Sequence, residues 1–246
     1  MRSVKDLTIV ETSNYILFYH ITTDEEVYFG KSSKKRQDMT IDEYVSALKR
    51  ILDDQVHPKV PQGMTLTLAP EGLDETLSWV KRTGLNNYES RKGLQIVAKA
   101  LLKETVIMEQ ISKTPHPHLI KYHGCRVRRG CITAIVLECL NQTVTQFSRT
   151  PAFQELNKTK FFAGVHSAVE YLHSLGLAHN DISSDNIMVR EYGSPVLLDF
   201  DSCGPEGERL DSLGTPGWYE EVFFTSAKEH DLYSPGVLKR WLEKPE

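Results

Sequence analysis

Asp181, Asn186 and Asp199 fall in one stretch, Leu177 to Asp201, whose spacing gathers hard oxygen ligands at a single point. The stretch reads LAHNDISSDNIMVREYGSPVLLDFD. Leu177, Ala178 and His179 make a short apolar entry, and Asn180 to Asp185 a polar loop. A β-hairpin follows, with Asn186 to Val189 as its first arm. Its turn lies around Tyr192-Gly193-Ser194-Pro195, and Val196 to Leu198 is the second arm. Antiparallel arms bring their ends together, so Asn186 and Asp199 become neighbours, with Asp181 on the adjacent loop. Two carboxylates and an amide so placed suit Mg²⁺, which takes carboxylates, waters and substrate phosphates. Singly, each of these residues would pass for an ordinary turn former. Together, behind an apolar arm, they make a candidate site.

Several elements must position that stretch. Lys158 to Leu175 reads as a helix with Phe161, Phe162, Val165, Ala168, Val169 and Leu172 on or near one face, and Gly176 ends it. Tyr122 to Val127 and Cys131 to Glu138 read as strands joined at Arg128-Arg129-Gly130. A helix from about Ser90 to Ser112 carries the stripe Leu94, Val97, Leu101, Met108 and Ile111, with Glu104 close to it. Strands at Thr65 to Leu68 and Thr76 to Lys81 flank Pro70-Glu71-Gly72. Leu77, Trp79 and Val80 make the second one apolar, and Lys81 closes it. His116 and His118 belong to a turn rather than a zinc site, because no further ligands stand at suitable spacing.

Residues 1–60 read as a separate extension. Tyr15 to His20 and Glu26 to Gly30 make a hairpin, and the basic run Lys31 to Asp38 is a solvated connector. A helix begins after Thr40, which has capping-box spacing to Glu43. Tyr44, Val45, Leu48, Ile51 and Leu52 form its apolar face, and it ends before His57-Pro58. Val60-Pro61-Gln62-Gly63 is a linker.

Composition excludes some classes. The formal net charge of -4 over 246 residues is opposite to the basic balance of a nucleic-acid binder. No apolar run approaches the roughly 20 residues that span a bilayer, and the N-terminal MRSVKDLTIVETS has no signal-peptide core. Cys125, Cys131, Cys139 and Cys203 lack CxxC spacing and read as free thiols of a reducing compartment. The expectation is a cytoplasmic or nuclear protein that binds neither nucleic acid nor membrane.

His179-Asn180-Asp181, Asn186 and Asp199-Phe200-Asp201 resemble the H-R-D…N…D-F-G set of the protein-kinase superfamily. His116 to Gly124, Gly214-Thr215-Pro216-Gly217-Trp218-Tyr219 and Asp231-Leu232-Tyr233-Ser234-Pro235-Gly236 resemble further segments of it, from about Thr65 to the C-terminus. The resemblance implies an α+β, bilobal fold. Residues 61–140 would form a small antiparallel β lobe with one main helix, and 141–246 a mainly helical, truncated large lobe. It implies ATP and Mg²⁺, with Asn186 and Asp199 on the metal and Asp181 accepting the proton of an attacking Ser/Thr hydroxyl. Lys81 would hold the α/β-phosphates, kept in place by Glu104, with Glu109 as the rival glutamate. Backbone groups of the hinge Glu138-Cys139-Leu140 would bond adenine. Phe200 would be buried beside His179 and Met108, and Asp231 would bond the catalytic-loop backbone. A protein substrate or partner is implied as well.

The departures are specific. No G-x-G-x-x-G precedes Lys81, and Ser183 stands where the family places a lysine on the γ-phosphate. Losing one such donor costs about 2.7–4 kcal/mol in comparable sites. Asn180 replaces the arginine that would order a phosphate on Ser212 or Thr215, and Asp201 replaces the glycine of D-F-G. Two alternatives stand beside a protein kinase. One is a small-molecule kinase of the choline or aminoglycoside type, which HND and DFD resemble. The other is a pseudokinase, a nucleotide-binding scaffold.

Overall fold

The computed structural model describes residues 4–74, 76–85, 88–89 and 95–245. They fall into two compact units. The first comprises Met1–Leu68, Lys81–Leu102 and Cys125–Ile135, the second Ala69–Val80, Lys103–Gly124 and Val136–Glu246.

In the first unit, β1 (Thr8–Glu11), β2 (Ile16–Ile21), β3 (Val27–Ser32) and β4 (Lys49–Arg50) form one antiparallel sheet in chain order. The expected hairpin is its β2–β3 pair; β1 was not foreseen. Alternation along β2 sends Ile16 and Phe18 to one face and Leu17 and Tyr19 to the other. Tyr44 of α1 (Ile41–Ala47) closes the first face, edge-on to Phe18 at 4.8 Å. Leu17, Val27 and Phe29 pack on the second face with Ile51, Val56, Leu85 and Tyr88.

Thr40 caps α1 as its spacing predicts: the Glu43 N–H donates to Thr40 Oγ1, and the Thr40 N–H to the Glu43 carboxylate. The helix ends at Ala47 rather than before His57. Lys49 and Arg50 pair instead with Phe29 and Tyr28, and only the single turn α2 (Asp53–Val56) follows. Val45 and Leu52, expected on the apolar face, are exposed. Backbone partners on β3 outweigh the helical period, and Tyr44, Leu48 and Ile51 of that face reach the core without a continuous helix. Thr65 to Leu68 makes no strand either, since Leu68 contributes one isolated bridge, to Cys125.

β5 (Ser78–Lys81), β6 (Tyr122–Arg128) and β7 (Cys131–Glu138) form a three-stranded sheet with β7 in the middle. Arg129 and Gly130, with φ of 51° and 75°, make the two-residue turn between β6 and β7. Positive φ at both positions matches the twist of the arms. β5 starts at Ser78 rather than Thr76; Ser78 is buried, while Trp79 and the preceding Leu77 are exposed, so the strand is less apolar on its inner face than its composition suggests. Directly after Lys81, Arg82 binds Glu25 through Nε at 2.7 Å and Nη2 at 2.9 Å. Arg126 Nη1 reaches the same buried carboxylate at 3.0 Å. α3 (Ile96–Ile111) buries Leu101, Met108 and Ile111 as its stripe requires; residues 90–94, with Leu94, lie outside the described residues.

The second unit is mainly helical. Besides parts of β5, α3, β6 and β7, it holds α4 (Val144–Phe147), α5 (Lys158–Ser174), β8 (Leu177–Ala178), β9 (Ile187–Val189), β10 (Pro195–Leu197), β11 (Gly204–Pro205) and α6 (Lys228–Glu243). Asn157 caps α5 by accepting the Lys160 N–H at 2.9 Å. Phe161, Val165, Ala168, Val169 and Leu172 are buried against β8, β10 and α6, as the sequence period predicts. Gly164 permits the approach to the hairpin, since a Cβ there would stand 2.7 Å from Pro195 Cγ. α6 begins three residues before Asp231, so Pro235 lies in its interior and cannot donate to the Asp231 carbonyl. Ser234 Oγ stitches this turn by hydrogen bonds to Trp218 O and His230 O. The four cysteines are free, as read. His118 Nδ1 lies 2.9 Å from Pro195 O, and His116 stacks on Tyr171, so both serve the fold. Among the described residues, no helix is long and apolar enough to cross a membrane.

Candidate active site

β8 delivers the chain into the loop His179 to Asp185, and one buried carboxylate holds its entry. Asp231, fully buried on α6, accepts the His179 N–H and the Asn180 N–H, each at 2.7 Å. His173 Nε2 lies 2.9 Å from the same group. The sequence expectation that Asp231 binds this backbone is met. Asn180 has φ of 64°, a left-handed conformation that asparagine tolerates better than most side chains. His179 is buried beside Phe200, with ring centroids 5.3 Å apart. Its Nδ1 accepts the Asp181 N–H at 3.3 Å, which leaves the proton on Nε2 to meet Leu198 O at 3.1 Å.

Asp181 and Asn186 are together as predicted. Asn186 Nδ2 donates to Asp181 Oδ2 at 2.8 Å and to Asp181 O at 2.9 Å. The other carboxylate oxygen, Oδ1, accepts the N–H and the Oγ1 hydroxyl of Thr215, both at 2.7 Å. Asp199 comes from the hairpin end. Pro195 pairs with Val189 and Leu197 with Ile187, and the Leu198 N–H donates to Asn186 O at 3.0 Å. Asp199 is therefore one residue beyond the rung that Asn186 closes, with φ of 67°. One of its carboxylate oxygens, one of buried Glu104 and one of exposed Asp201 lie within 4.8 Å of one another.

The remaining expected residues are placed as follows. Lys81 ends β5 half-buried, in the first unit. Glu109 accepts the Tyr122 hydroxyl at 2.9 Å, which gives the rival glutamate a structural partner. Glu138 accepts the Lys121 N–H at 2.8 Å and is gripped by the Arg190 guanidinium. The Glu138 and Cys139 amides donate to Lys121 O and Leu77 O, at 2.9 and 3.0 Å. Leu140 is half-buried. Ser183 is buried, and its hydroxyl makes no hydrogen bond among the described residues.

Sequence reasoning did not assign Thr215 to Asp181, nor any role to the Asn180 side chain. The Gly214-Thr215-Pro216 turn was the available signal for Thr215. Nothing local marked Asn180, whose side-chain partners other than Ala178 lie 22 to 47 residues away.

Comparison with known proteins agrees with this geometry. The profile of the protein kinase domain matches residues 74–238. Serine/threonine-protein kinase Tao of Drosophila melanogaster is 30% identical over 120 residues, 48% of this chain and 11% of that protein. Serine/threonine-protein kinase TAO3 of Homo sapiens is 30% identical over 145 residues, 56% of this chain and 16% of that protein. A probable serine/threonine-protein kinase of Dictyostelium discoideum, samkC, is 31% identical over 109 residues, 42% of this chain and 12% of that protein. The chain thus spans a small part of the length of the relatives it matches. Since the profile covers well over half of the chain and takes in the loop, the hairpin and the anchoring aspartate, the chain belongs to the protein kinase domain family.

Proposed function

We propose that the chain transfers the γ-phosphoryl group of ATP to a serine or threonine hydroxyl of a protein. The observation that carries this reading is the Asp181 carboxylate, 2.8 Å from Asn186 on a loop whose backbone Asp231 fixes. In the reaction the substrate hydroxyl oxygen bonds to the γ-phosphorus, the bond to the β,γ-bridging oxygen breaks, and ADP leaves. Asp181 takes the hydroxyl proton. Catalysis rests on positioning and charge neutralisation.

The donor set fits Mg²⁺. Asn186 turns its Nδ2 to Asp181, which leaves its Oδ1 to serve as a ligand atom together with the Asp199 carboxylate in the proposed site. Bound there, the metal would neutralise and orient the phosphates. Lys81 would bind the α/β-phosphates with Glu104 keeping it in place, in the small lobe of a bilobal arrangement. The orphaned Ser183 hydroxyl fits a phosphate oxygen, a weaker donor than a lysine. With the Glu138 and Cys139 amides engaged, Leu140 would offer its main chain to adenine. The relatives named above favour a protein hydroxyl over a small alcohol as acceptor. We place the protein in the cytoplasm or nucleus.

One observation favours a second reading, a nucleotide-binding scaffold. Thr215 spends two hydrogen bonds on Asp181 Oδ1, so that oxygen is already covered. Peptide-library phosphorylation decides between them. The wild type should turn over, and Asp181→Asn should lower kcat by about 10²–10⁴, the usual worth of a general base. ATP with Mg²⁺ should raise the melting temperature of the wild type but not of Asp199→Ala. A wild type that shows the shift without turnover is the scaffold; one that shows neither has no nucleotide site.

A further inference from the structure

Asn180 occupies the position at which the family resemblance expects an arginine, and its side chain is not idle. It is buried, and Nδ2 reaches three oxygens: Ala178 O at 3.0 Å, Ser202 O at 2.9 Å and Ser226 Oγ at 2.9 Å. With two hydrogens for three acceptors, one is shared. Oδ1 accepts the Ala227 N–H at 3.1 Å. Ser226 passes the link on by donating its hydroxyl to Gly204 O at 2.9 Å. One amide thus ties the loop before Asp181 to both ends of the stretch 202–227.

The middle of that stretch is held by its own hydroxyls. Ser202 Oγ and Ser212 Oγ lie 2.8 Å apart, and Thr215 is bound to Asp181 through Oγ1. Gly214 packs on the loop as well, since a Cβ there would stand 2.8 Å from Asn180 O. Ser212 and Thr215 are the hydroxyls that sequence alone would nominate for phosphorylation. Both are already used in their unmodified form. A phosphate is held by guanidinium or ammonium groups, yet the partners of Asn180 are backbone groups, a serine hydroxyl and the Asp231 carboxylate.

We propose that Asn180 is a positioning residue that sets the 202–227 stretch against Asp181 without phosphorylation, so that the site is assembled in the unmodified protein. The proposal rests on the phosphotransferase reading only for its functional meaning; the tether itself is a statement about order in one stretch. Hydrogen–deuterium exchange on the full chain after phosphatase treatment tests it without reference to turnover. Peptides covering 203–227 should be protected, and Asn180→Ala should raise their exchange by about tenfold or more while α5 peptides keep theirs. If α5 also loses protection in Asn180→Ala, Asn180→Asp takes its place. It keeps the Ala227 acceptor but sets an oxygen against Ala178 O and Ser202 O, and the same selective loss is expected. Protection of 203–227 that appears only after phosphorylation, or that survives both substitutions, overturns the proposal. A kinetic readout then separates it from the phosphotransferase reading. If peptide turnover exists, Asn180→Asp should lower kcat with KM for ATP unchanged. If turnover is absent but the exchange pattern holds, the phosphotransferase reading fails and the tether stands.

Discussion

Replacing Asp231 by asparagine keeps the size of the side chain and removes one acceptor oxygen, which makes it a clean probe of the buried anchor. In the wild type two backbone N–H groups point at the carboxylate at 2.7 Å, and His173 Nε2 meets it at 2.9 Å. In Asp231→Asn one backbone N–H keeps a neutral acceptor, while the other faces an NH₂ group. The first bond weakens from charge-assisted to neutral, costing about 1 kcal/mol. The second is lost and leaves a buried donor without a partner, at about 1–3 kcal/mol. With the weakened histidine contact the total is about 3–5 kcal/mol, a large share of the 5–15 kcal/mol that typically separates folded from unfolded chains. Urea unfolding followed by tryptophan fluorescence suits the measurement, because Trp218 and Trp241 lie 6.3 Å apart, and Trp241 sits on the same helix as Asp231. Amide exchange at His179 and Asn180 should rise in parallel. A loss below about 1 kcal/mol with both amides still protected would refute the anchoring role, since the two N–H groups use two separate carboxylate oxygens and the amide offers only one.

Other outcomes follow from single contacts. Burial pushes the His57 imidazole below its ordinary value of 6.5, only partly offset by Asp53. The unfolded chain therefore binds the proton first, and stability should fall by up to about 1.4 kcal/mol per pH unit as pH drops below 6.5 toward the folded value. A melting temperature flat from pH 7.5 to 5.5, or an equally steep fall in His57→Phe, contradicts this. Gly30→Ala would place a Cβ 2.3 Å from the Phe18 ring and should cost about 1–3 kcal/mol in chemical unfolding; a neutral effect would mean the sheet yields more than its packing suggests. Glu25→Gln leaves Arg82 and Arg126 without their carboxylate and should cost about 3 kcal/mol, the low end for a broken buried pair because both guanidinium groups stay part-exposed.

What was legible in the sequence depended on how local the cause is. α5 and the β9–β10 hairpin are written in short-range patterns, a 3.6-residue stripe and a Gly-Ser-Pro turn, and both appear where expected. The capping box at Thr40 is equally local and equally correct. The helix it starts was overextended because Lys49 and Arg50 find backbone partners about twenty residues back, on β3. Thr65 to Leu68 had strand composition but no ladder to join beyond one bridge. In the candidate site, the Asp181–Asn186 pair follows from a five-residue spacing, whereas Thr215 arrives from 34 residues away. Asn180 was read as the loss of an arginine, when its burial and distant partners give it a different task.

Asp201 shows how one substitution ties the charge of the site to its reading. Three carboxylates with one oxygen each within 4.8 Å of one another repel each other, and Glu104 is buried while Asp199 is half-buried. At 4.8 Å in bulk water an unscreened pair costs about 0.9 kcal/mol, and salt lowers this for the pairs that include exposed Asp201. With glycine at 201 only one such pair would exist; with aspartate there are three. The added repulsion deepens the potential well for a cation at this point, so the arrangement favours ammonium or Mg²⁺ more strongly than two carboxylates would. On the proposed metal site, Asp201→Gly should therefore weaken Mn²⁺ binding, read by electron paramagnetic resonance in the presence of ATP, without abolishing it, because the proposed ligands Asp199 and Asn186 remain. Unchanged Mn²⁺ affinity would show that Asp201 faces solvent as a screened charge and takes no part in holding the metal.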